Sequence, residues 1–283
     1  MSAANGNSLH SLVGHLDSVI CGDNAAVIAT WPDNRIDLVV TSPPYDNLRN
    51  YGGHSWDFPS VARELTRILK PGGVIVWVVS DATIDGSETL TSMKQAIHFR
   101  EVCGLNVHDT MIYQVAGTGA KGSKLAYWQE WEYCFVLSKG RPATFNPISN
   151  GKKTTGGGER RKATGEIKQS RQRRETDGRP GNVWRYAVGQ NATGHPAQFP
   201  ERLAVDHILS WSNPGDVVLD PFAGSGTTLK MAKEHGRRFI GIEVCPEYVA
   251  ICEKRVAQGV LPLVPNVDSA EQESLVRPKM REK

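Results

Sequence analysis

The stretch from Asp220 to Thr228, Asp-Pro-Phe-Ala-Gly-Ser-Gly-Thr-Thr, constrains the fold more than any other part of the chain. Apolar residues precede it and residues with helical spacing follow it, which predicts a buried strand, a tight turn and a helix. Gly224 and Gly226 lack a Cβ, so the backbone can turn sharply and approach a ligand closely. The free N–H groups at the start of the helix would face the same point. The sequence therefore predicts an α/β unit with a ligand site at this turn.

A second apolar run ends in a carboxylate at Glu243. An acid about 20 residues after such a turn is where nucleotide-binding α/β units place the group that binds ribose hydroxyls. The turn and Glu243 together favour a nucleotide-like ligand. Without Glu243, a structural explanation would be equally good: Asp220 would cap the turn and the glycines would only permit it.

A rigid loop follows another predicted strand in the first third of the chain. The apolar run at 36–40 leads into Thr-Ser-Pro-Pro-Tyr at 41–45. Two consecutive prolines fix φ and remove two backbone donors, so the strand cannot continue as a central one. In open α/β sheets, ligands bind at this end of the strands. A third short strand ends in an acid at Asp23, which is either a ligand contact or a turn carboxylate.

The composition changes between about residues 150 and 185, where Lys and Arg are dense, acids are few and no apolar periodicity is visible. We expect a flexible basic insertion. A basic run of this kind is usually a solvated loop. Here it interrupts a domain of nearly balanced charge, since the whole chain carries only +3, which favours contact with a phosphate backbone. The candidate DNA-binding residues are Arg160, Arg161, Lys162, Arg171, Arg173 and Arg174.

Local patterns predict the remaining elements. Helical spacing indicates helices at 61–69, 92–103, 202–211 and 248–257, and apolar runs indicate strands at 74–79, 108–115 and 133–137. His195 and Pro196 open the segment that leads into the helix at 202–211. With 283 residues, the chain is long enough for one domain with an insertion.

The length of the apolar stretches and the number of cysteines limit which classes of protein this chain can belong to. No apolar stretch is long enough for a signal peptide or a membrane span, so we expect a cytoplasmic protein. The five cysteines are scattered and odd in number, which favours reduced thiols over disulfides or a zinc site. We therefore expect no metal.

The Ser-Pro-Pro-Tyr loop and the Asp-Pro-Phe-Ala-Gly-Ser-Gly turn, in this order, resemble the β class of S-adenosylmethionine-dependent DNA amino-methyltransferases. The resemblance covers about residues 16–258. It implies a circularly permuted Rossmann-like α/β fold, with a mostly parallel sheet, an antiparallel hairpin at one edge and helices on both faces. The implied divisions are a flexible N-terminus at 1–15, a catalytic half at 16–140, a basic target-recognition insertion at 141–190, a cofactor-binding half at 191–260 and a loose tail at 261–283.

The resemblance also implies roles for individual residues. Ser42 and the Pro43 carbonyl would accept hydrogen bonds from the target amino group, Pro44 would stiffen the loop, and Tyr45 would stack on a base flipped out of the duplex. From the residues alone, a turn-capping hydroxyl at Ser42 and a half-buried packing aromatic at Tyr45 would be the preferred explanations. S-adenosylmethionine is the implied cofactor, and its implied contacts are Asp23, His195, Pro196, Asp220, Phe222, Gly224, Ser225, Gly226, Thr227 and Glu243.

Serine at position 42 favours cytosine N4 as the target, because family members with Ser there mostly methylate cytosine and those with Asp mostly methylate adenine N6. Adenine N6 remains the alternative, since either side chain can accept one hydrogen bond from either amino group. Cytosine C5 methylation needs a cysteine nucleophile, usually in a Pro-Cys pair, and no cysteine follows a proline. More remote alternatives are RNA or protein methylation and an inactive nucleic-acid-binding module. The expected partner is double-stranded DNA. The sequence leaves open whether a cognate restriction endonuclease exists and whether the enzyme is a monomer or a homodimer.

Overall fold

A computed structural model describes residues 12–44, 56–116, 127, 129–149, 152–155, 159–161, 167–170, 174–187 and 200–258. Its centre is an eight-stranded sheet. In chain order, the strands of this sheet are β1 (Ser18–Cys21), β2 (Ile36–Thr41), β3 (Leu69–Val79), β6 (Asn106–Ala116), β7 (Trp131–Ser138), β12 (Val183–Ala187), β13 (Val217–Asp220) and β14 (Arg238–Glu243). The helices are α1 (Asn24–Ala29), α2 (Phe58–Ile68), α3 (Thr91–Glu101), α4 (Glu201–Trp211), α5 (Thr227–Glu234) and α6 (Pro246–Ala257).

The strand order is β1-β14-β13-β2-β3-β7-β6-β12. β7 is antiparallel to both of its neighbours and every other neighbouring pair is parallel, so all strands except β7 point the same way. Their carboxyl ends therefore meet at one edge of the sheet, the carboxyl edge. β13, from the last third of the chain, lies beside β2 from the first third. This pairing brings the glycine turn and the Ser-Pro-Pro loop to neighbouring positions.

Helices cover both faces of the sheet, as the sequence predicts. In β3, Ile75, Trp77 and Val79 join one core cluster, which also contains buried residues of α1, α2 and α3. The alternate residues Val74, Val76 and Val78 join a second cluster with buried residues of α4, α5 and α6. The run at 74–79 is apolar at every position because both of its faces are buried.

The helix boundaries follow the predicted ones within a few residues. α6 begins at Pro246, two residues earlier than expected, and α2 begins at Phe58, three residues earlier. Both α2 and α6 have a proline in the first turn, where the backbone N–H that proline lacks would have no partner within the helix.

The antiparallel pair of β6 and β7 forms as expected, but it is not at the edge of the sheet, because β12 pairs in parallel with the outer side of β6. β12 alternates half-buried and exposed side chains, and Trp184 and Tyr186 pack against the core. The end of the range 141–190 thus belongs to the main sheet, and the division of the chain remains a prediction. The strand has only five residues and no apolar–polar alternation, since its exposed face carries Val183 and Ala187 beside Arg185, so periodicity did not reveal it.

Most described residues of the basic insertion form strands, and its expected flexibility remains a prediction. β8 (Lys152–Thr155) pairs with β11 (Arg174–Asp177), and β9 (Glu159–Arg161) pairs with β10 (Ile167–Ser170), both antiparallel. We call residues 152–177, which contain these two strand pairs, the basic ribbon. Backbone hydrogen bonds between two strands need no apolar side chains, so the apolar pattern could not reveal it. A second small hairpin, β4 (Thr83–Ile84) with β5 (Ser87–Glu88), precedes α3.

All five cysteines are free thiols. Within the described ranges, no helix is long and apolar enough to cross a membrane. The same residues contain no group of three or more His, Cys, Asp or Glu side chains that could hold a metal ion.

Candidate active site

The two sequence motifs are joined at the carboxyl edge by one buried carboxylate. The Thr41 hydroxyl, at the end of β2, donates a 2.7 Å hydrogen bond to Oδ1 of Asp220, at the end of β13. The backbone N–H of Phe222 donates to the same oxygen at 3.1 Å. Ser42, Pro43 and Pro44 follow directly after Thr41, and Pro43 is buried. A contact between residues 179 positions apart thus fixes the Ser-Pro-Pro loop beside the glycine turn.

Asp220 links the Ser-Pro-Pro loop to the glycine turn through its hydrogen bonds. It is buried, and burial raises the pKa of its carboxyl to about 6, although hydrogen bonds from Thr41, the Phe222 N–H and Thr228 favour the charged form. Its predicted contact with the cofactor remains a prediction.

The glycine turn has the left-handed backbone that the sequence predicts, with φ of 50° at Gly224 and 79° at Gly226. The two glycines are needed for different reasons. The N–H of Gly224 donates to Glu243 Oε2 at 2.8 Å, so this part of the turn faces the predicted ribose acceptor. A Cβ on Gly226 would instead overlap the Sγ of Cys252 on α6. Gly226 therefore also allows a helix to pack closely on the turn.

Glu243 is half-buried at the end of β14, and both of its oxygens are held by the backbone. Oε2 accepts from Gly224 N, and Oε1 accepts from Cys245 N at 3.0 Å. Each carboxylate oxygen has two lone pairs, so each can accept one further hydrogen bond. The result is a fixed pair of acceptors at the edge of the sheet, which suits two adjacent hydroxyls.

Asp23 lies just beyond β1 and caps α1, because its Oδ1 accepts the N–H of Ala26 at 2.8 Å. It is exposed at the carboxyl edge, next to Gly22, whose N–H bonds to the carbonyl of Glu243 at 3.0 Å. The capping bond supports the turn-carboxylate explanation and leaves the second carboxylate oxygen for a ligand. The neighbouring Asn24 donates a buried 3.0 Å hydrogen bond to the carbonyl of Pro221, in the glycine turn.

The hydroxyls of Ser225 and Thr227 contact a side chain that the sequence analysis did not single out. Arg255 Nη1 donates to Ser225 Oγ at 3.0 Å and to Thr227 Oγ1 at 2.9 Å. Both hydroxyls thus contact α6, and their predicted role in cofactor binding remains a prediction.

Aromatic rings line one side of the site. Phe222 is half-buried, and Trp56 meets it edge-on with ring centroids 4.9 Å apart. Trp77 lies 6.3 Å from the same ring. The sequence analysis missed Trp56, as it missed Asn24 and Arg255, because their spacing from the motifs carries no local signal.

Several predicted site residues lie outside the described residues, namely Tyr45, Lys162, Arg171, Arg173, His195 and Pro196. Arg160 and Arg161 lie on β9 and Arg174 on β11. Their assignment to DNA binding remains a prediction.

Comparisons with known proteins identify relatives of this chain. The sequence matches the profile of a DNA methylase family, N6/N4 methyltransferases, over residues 36–254. The chain is 46% identical over 244 residues to the orphan methyltransferase M.BamHII of Bacillus amyloliquefaciens, which covers 81% of this chain and 91% of that protein. It is 32% identical over 257 residues to the DNA adenine methyltransferase YhdJ of Escherichia coli, covering 84% and 82%.

Solved structures share the fold. The PvuII DNA methyltransferase, which is cytosine-N4-specific, superposes with a TM-score of 0.64 at 20% identity, over 91% of this chain and 89% of that one. The protein TTHA0409 of Thermus thermophilus, in complex with S-adenosyl-L-methionine, superposes with a TM-score of 0.58 at 26% identity, over 85% and 93%.

Proposed function

The chain belongs to the N6/N4 family of DNA methylases, and from that premise we propose that it transfers a methyl group from S-adenosylmethionine to N4 of cytosine in DNA. The observation that carries the proposal is the Thr41–Asp220 hydrogen bond, which joins the Ser-Pro-Pro loop to the glycine turn. A methyl donor held at the turn and a base held at the loop would therefore be neighbours.

The turn and Glu243 fit the methyl donor. Glu243 presents two fixed acceptors for the ribose hydroxyls, and Phe222 with Trp56 supplies an apolar wall. Asp23, exposed at the same edge, keeps one oxygen for the adenine amino group. S-adenosylmethionine, when bound, supplies an electrophilic methyl group on a sulfonium.

The Ser-Pro-Pro loop suits an amino group that is a poor nucleophile. The lone pair of such a nitrogen is conjugated into the base ring. An acceptor pair that holds both of its hydrogens out of the ring plane restores the lone pair. Ser42 Oγ and the carbonyl of Pro43 are that pair, and the consecutive prolines hold the carbonyl in place before the base arrives. Tyr45 would stack on the extruded base, which is typically worth about 1–3 kcal/mol.

Cytosine is the proposed target because position 42 is serine rather than aspartate, as the family resemblance implies. One observation favours the alternative, adenine N6: a relative 32% identical to this chain is named a DNA adenine methyltransferase. Both targets use the same loop and the same cofactor site.

We assign DNA contact to the basic ribbon. Residues 152–177 contain nine Lys and Arg and four acids, a net charge of +5, whereas the whole chain carries +3. The remainder of the chain is therefore slightly acidic and would not attract DNA by itself. The major groove of B-form DNA accepts a two-stranded β-ribbon, and the described residues of this segment form two antiparallel strand pairs.

The test identifies the product. The protein is incubated with plasmid DNA and isotopically labelled S-adenosylmethionine, and the DNA is digested to nucleosides for mass spectrometry. We expect labelled N4-methyldeoxycytidine. Labelled N6-methyldeoxyadenosine would establish the alternative, and label in neither nucleoside would refute the proposal.

Variants of the loop test the assigned roles. Ser42→Ala should bind S-adenosylmethionine normally and lose roughly 100-fold or more in turnover, because one preorganised acceptor is gone. Tyr45→Ala should bind the extruded base more weakly than Tyr45→Phe, since stacking needs only the ring. Replacement of the exposed Ser149 by alanine is the control and should change neither property. Turnover of Ser42→Ala close to that of the parent would show that Ser42 has no catalytic role.

A further inference from the structure

Arg255 reaches from α6 into the glycine turn. Its Nη1 donates to Ser225 Oγ at 3.0 Å, to the Ser225 carbonyl at 3.3 Å and to Thr227 Oγ1 at 2.9 Å. Only 12% of its side chain is exposed. One guanidinium thus holds both the backbone and the side chains of the turn between β13 and α5.

The charge of Arg255 is balanced by Glu201, the first residue of α4. Arg255 Nη2 donates to Glu201 Oε1 at 2.6 Å, and Lys230 of α5 donates to the same oxygen at 3.0 Å. Burial opposes ionisation of Glu201, but the hydrogen bonds from Arg255 and Lys230 outweigh it and hold its pKa below the ordinary value. Glu201 therefore stays charged and fixes the guanidinium between three helices.

Arg255 lies in the last turn of α6, where the helix dipole favours a cation, but its guanidinium reaches the start of another helix. Ser225 and Thr227 flank the N-terminus of α5, where the helix dipole favours negative charge and disfavours a cation. What Arg255 does stabilise is the shape of the turn. A turn with two left-handed glycines, Gly224 and Gly226, has many conformations available when it is not held. Ordering such a loop upon binding would cost affinity.

We propose that Arg255 is a positioning residue that orders the glycine turn, through Ser225 and Thr227, before S-adenosylmethionine binds. The proposal rests on the proposed function, because it takes this turn as the site of the methyl donor. Arg255 acts on the turn from α6, through the hydroxyls of Ser225 and Thr227. Its effect should therefore appear in the affinity for the methyl donor and not in the rate of methyl transfer.

Calorimetry with S-adenosylmethionine, together with kcat at saturating methyl donor, tests the proposal on the full chain. Arg255→Lys keeps the positive charge but lacks the planar group with five donors that holds the turn and Glu201 together. We expect its Kd for S-adenosylmethionine to rise about tenfold, with kcat at saturation within about twofold of the parent. The exposed neighbour Lys254, replaced by alanine, is the matched control and should leave both values unchanged.

Ser225→Ala removes the hydroxyl that accepts a hydrogen bond from Arg255, with little risk to folding. We expect the Kd of this variant for S-adenosylmethionine to rise several-fold. In the double variant of Arg255→Lys and Ser225→Ala, the increase in Kd should be smaller than the product of the two single increases. The second change removes a contact that the first has already weakened. Glu201→Gln should raise Kd less than Arg255→Lys, since the contacts of Arg255 with the turn remain.

The outcomes separate this proposal from the proposed function. A parent protein that does not bind S-adenosylmethionine would refute the proposed function itself. A parent that binds, with Kd unchanged in both Arg255→Lys and Ser225→Ala, would overturn only the positioning role. A lower melting temperature with unchanged Kd would also overturn it, because Arg255 would then be only a structural clamp. Strictly multiplicative effects in the double variant would show that Arg255 does not act through Ser225.

Discussion

Glu243 and Asp220 end neighbouring strands of the sheet, yet their surroundings give them different roles. Glu243 is half-buried, and backbone N–H groups hold both of its oxygens while leaving one acceptor position on each. Asp220 is buried, and its Oδ1 accepts hydrogen bonds from both the Thr41 hydroxyl and the Phe222 N–H. Glu243 is therefore suited to bind a ligand, whereas Asp220 connects the Ser-Pro-Pro loop to the glycine turn.

Glu243→Gln should weaken S-adenosylmethionine binding by about tenfold or more. A glutamine has one acceptor oxygen, so its NH₂ group must face the N–H of either Gly224 or Cys245, and one bond is replaced by a repulsive contact. Calorimetry measures the effect, with the exposed Glu253→Gln on α6 as the control. If Glu243→Gln bound as tightly as the parent, the assignment of Glu243 to the ribose would be wrong.

Asp220→Asn should change how stability depends on pH. Burial raises the pKa of Asp220 to about 6 from 3.8, so the folded state binds this proton more tightly than the unfolded state does. Its contribution to the free energy of unfolding is therefore present below about pH 4 and is lost as pH rises through about 6, a change on the order of 3 kcal/mol.

Asparagine keeps an acceptor for Thr41 and for the Phe222 N–H but does not ionise in this range. Urea unfolding of parent and variant between pH 4.5 and 7.5 should show the variant gaining stability relative to the parent as pH increases. A difference that stays constant across this range would mean that Asp220 titrates normally in the folded protein.

The helices around the turn are placed by close contacts that only glycine allows. Gly226 lets α6 approach, since a Cβ there would overlap Cys252 Sγ. Gly241 on β14 does the same for α5, because a Cβ there would overlap Leu229 Cδ1. The approach of both helices to β13 and β14 therefore depends on missing side chains, and it sets the shape of the site.

Gly226→Ala should destabilise the protein by about 2 kcal/mol or more, because it combines left-handed backbone strain with overlap against α6. Gly86 has a φ of 81° with no atom near its hypothetical Cβ, so Gly86→Ala measures the strain alone and should cost about 1 kcal/mol. Adding Cys252→Ala to Gly226→Ala should recover part of the loss. Denaturant unfolding gives these free energies, and equal losses in the two glycine variants would disprove the overlap.

Charge is unevenly distributed over the molecule as a whole. The basic ribbon carries a net charge of +5 and the remainder of the chain is slightly acidic. Such a division of charge would favour contact between a phosphate backbone and this segment.

Replacing Arg171, Arg173 and Arg174 with alanine should weaken DNA binding and flatten the slope of log affinity against log salt by up to about three units. S-adenosylmethionine binding should not change. A control with the same charge change replaces the exposed Arg63, Lys94 and Arg100 on α2 and α3. DNA-binding titrations at several salt concentrations compare the three proteins. Equal slopes in all of them would show that the ribbon does not contact phosphates.

Local patterns were sufficient for most helices and central strands. The run at 74–79, the helix at 202–211 and the glycine turn all form where the sequence predicts them, because apolar periodicity and the backbone freedom of glycine act over a few residues. β12 and the strands of the basic ribbon were not predicted. β12 is held by pairing with β6, which lies about 70 residues earlier in the chain, and neither β12 nor the basic ribbon shows apolar–polar alternation.

The sequence by itself determined which residues form the candidate site: the Ser-Pro-Pro loop, the glycine turn and Glu243 are each recognisable from residue type and order. Only the tertiary structure decided how they are held. The Thr41–Asp220 bond, the contact of α6 with Gly226 and the reach of Arg255 into the turn join residues far apart in the chain. Such contacts depend on strand order and helix packing, which fix distances that no local sequence pattern encodes.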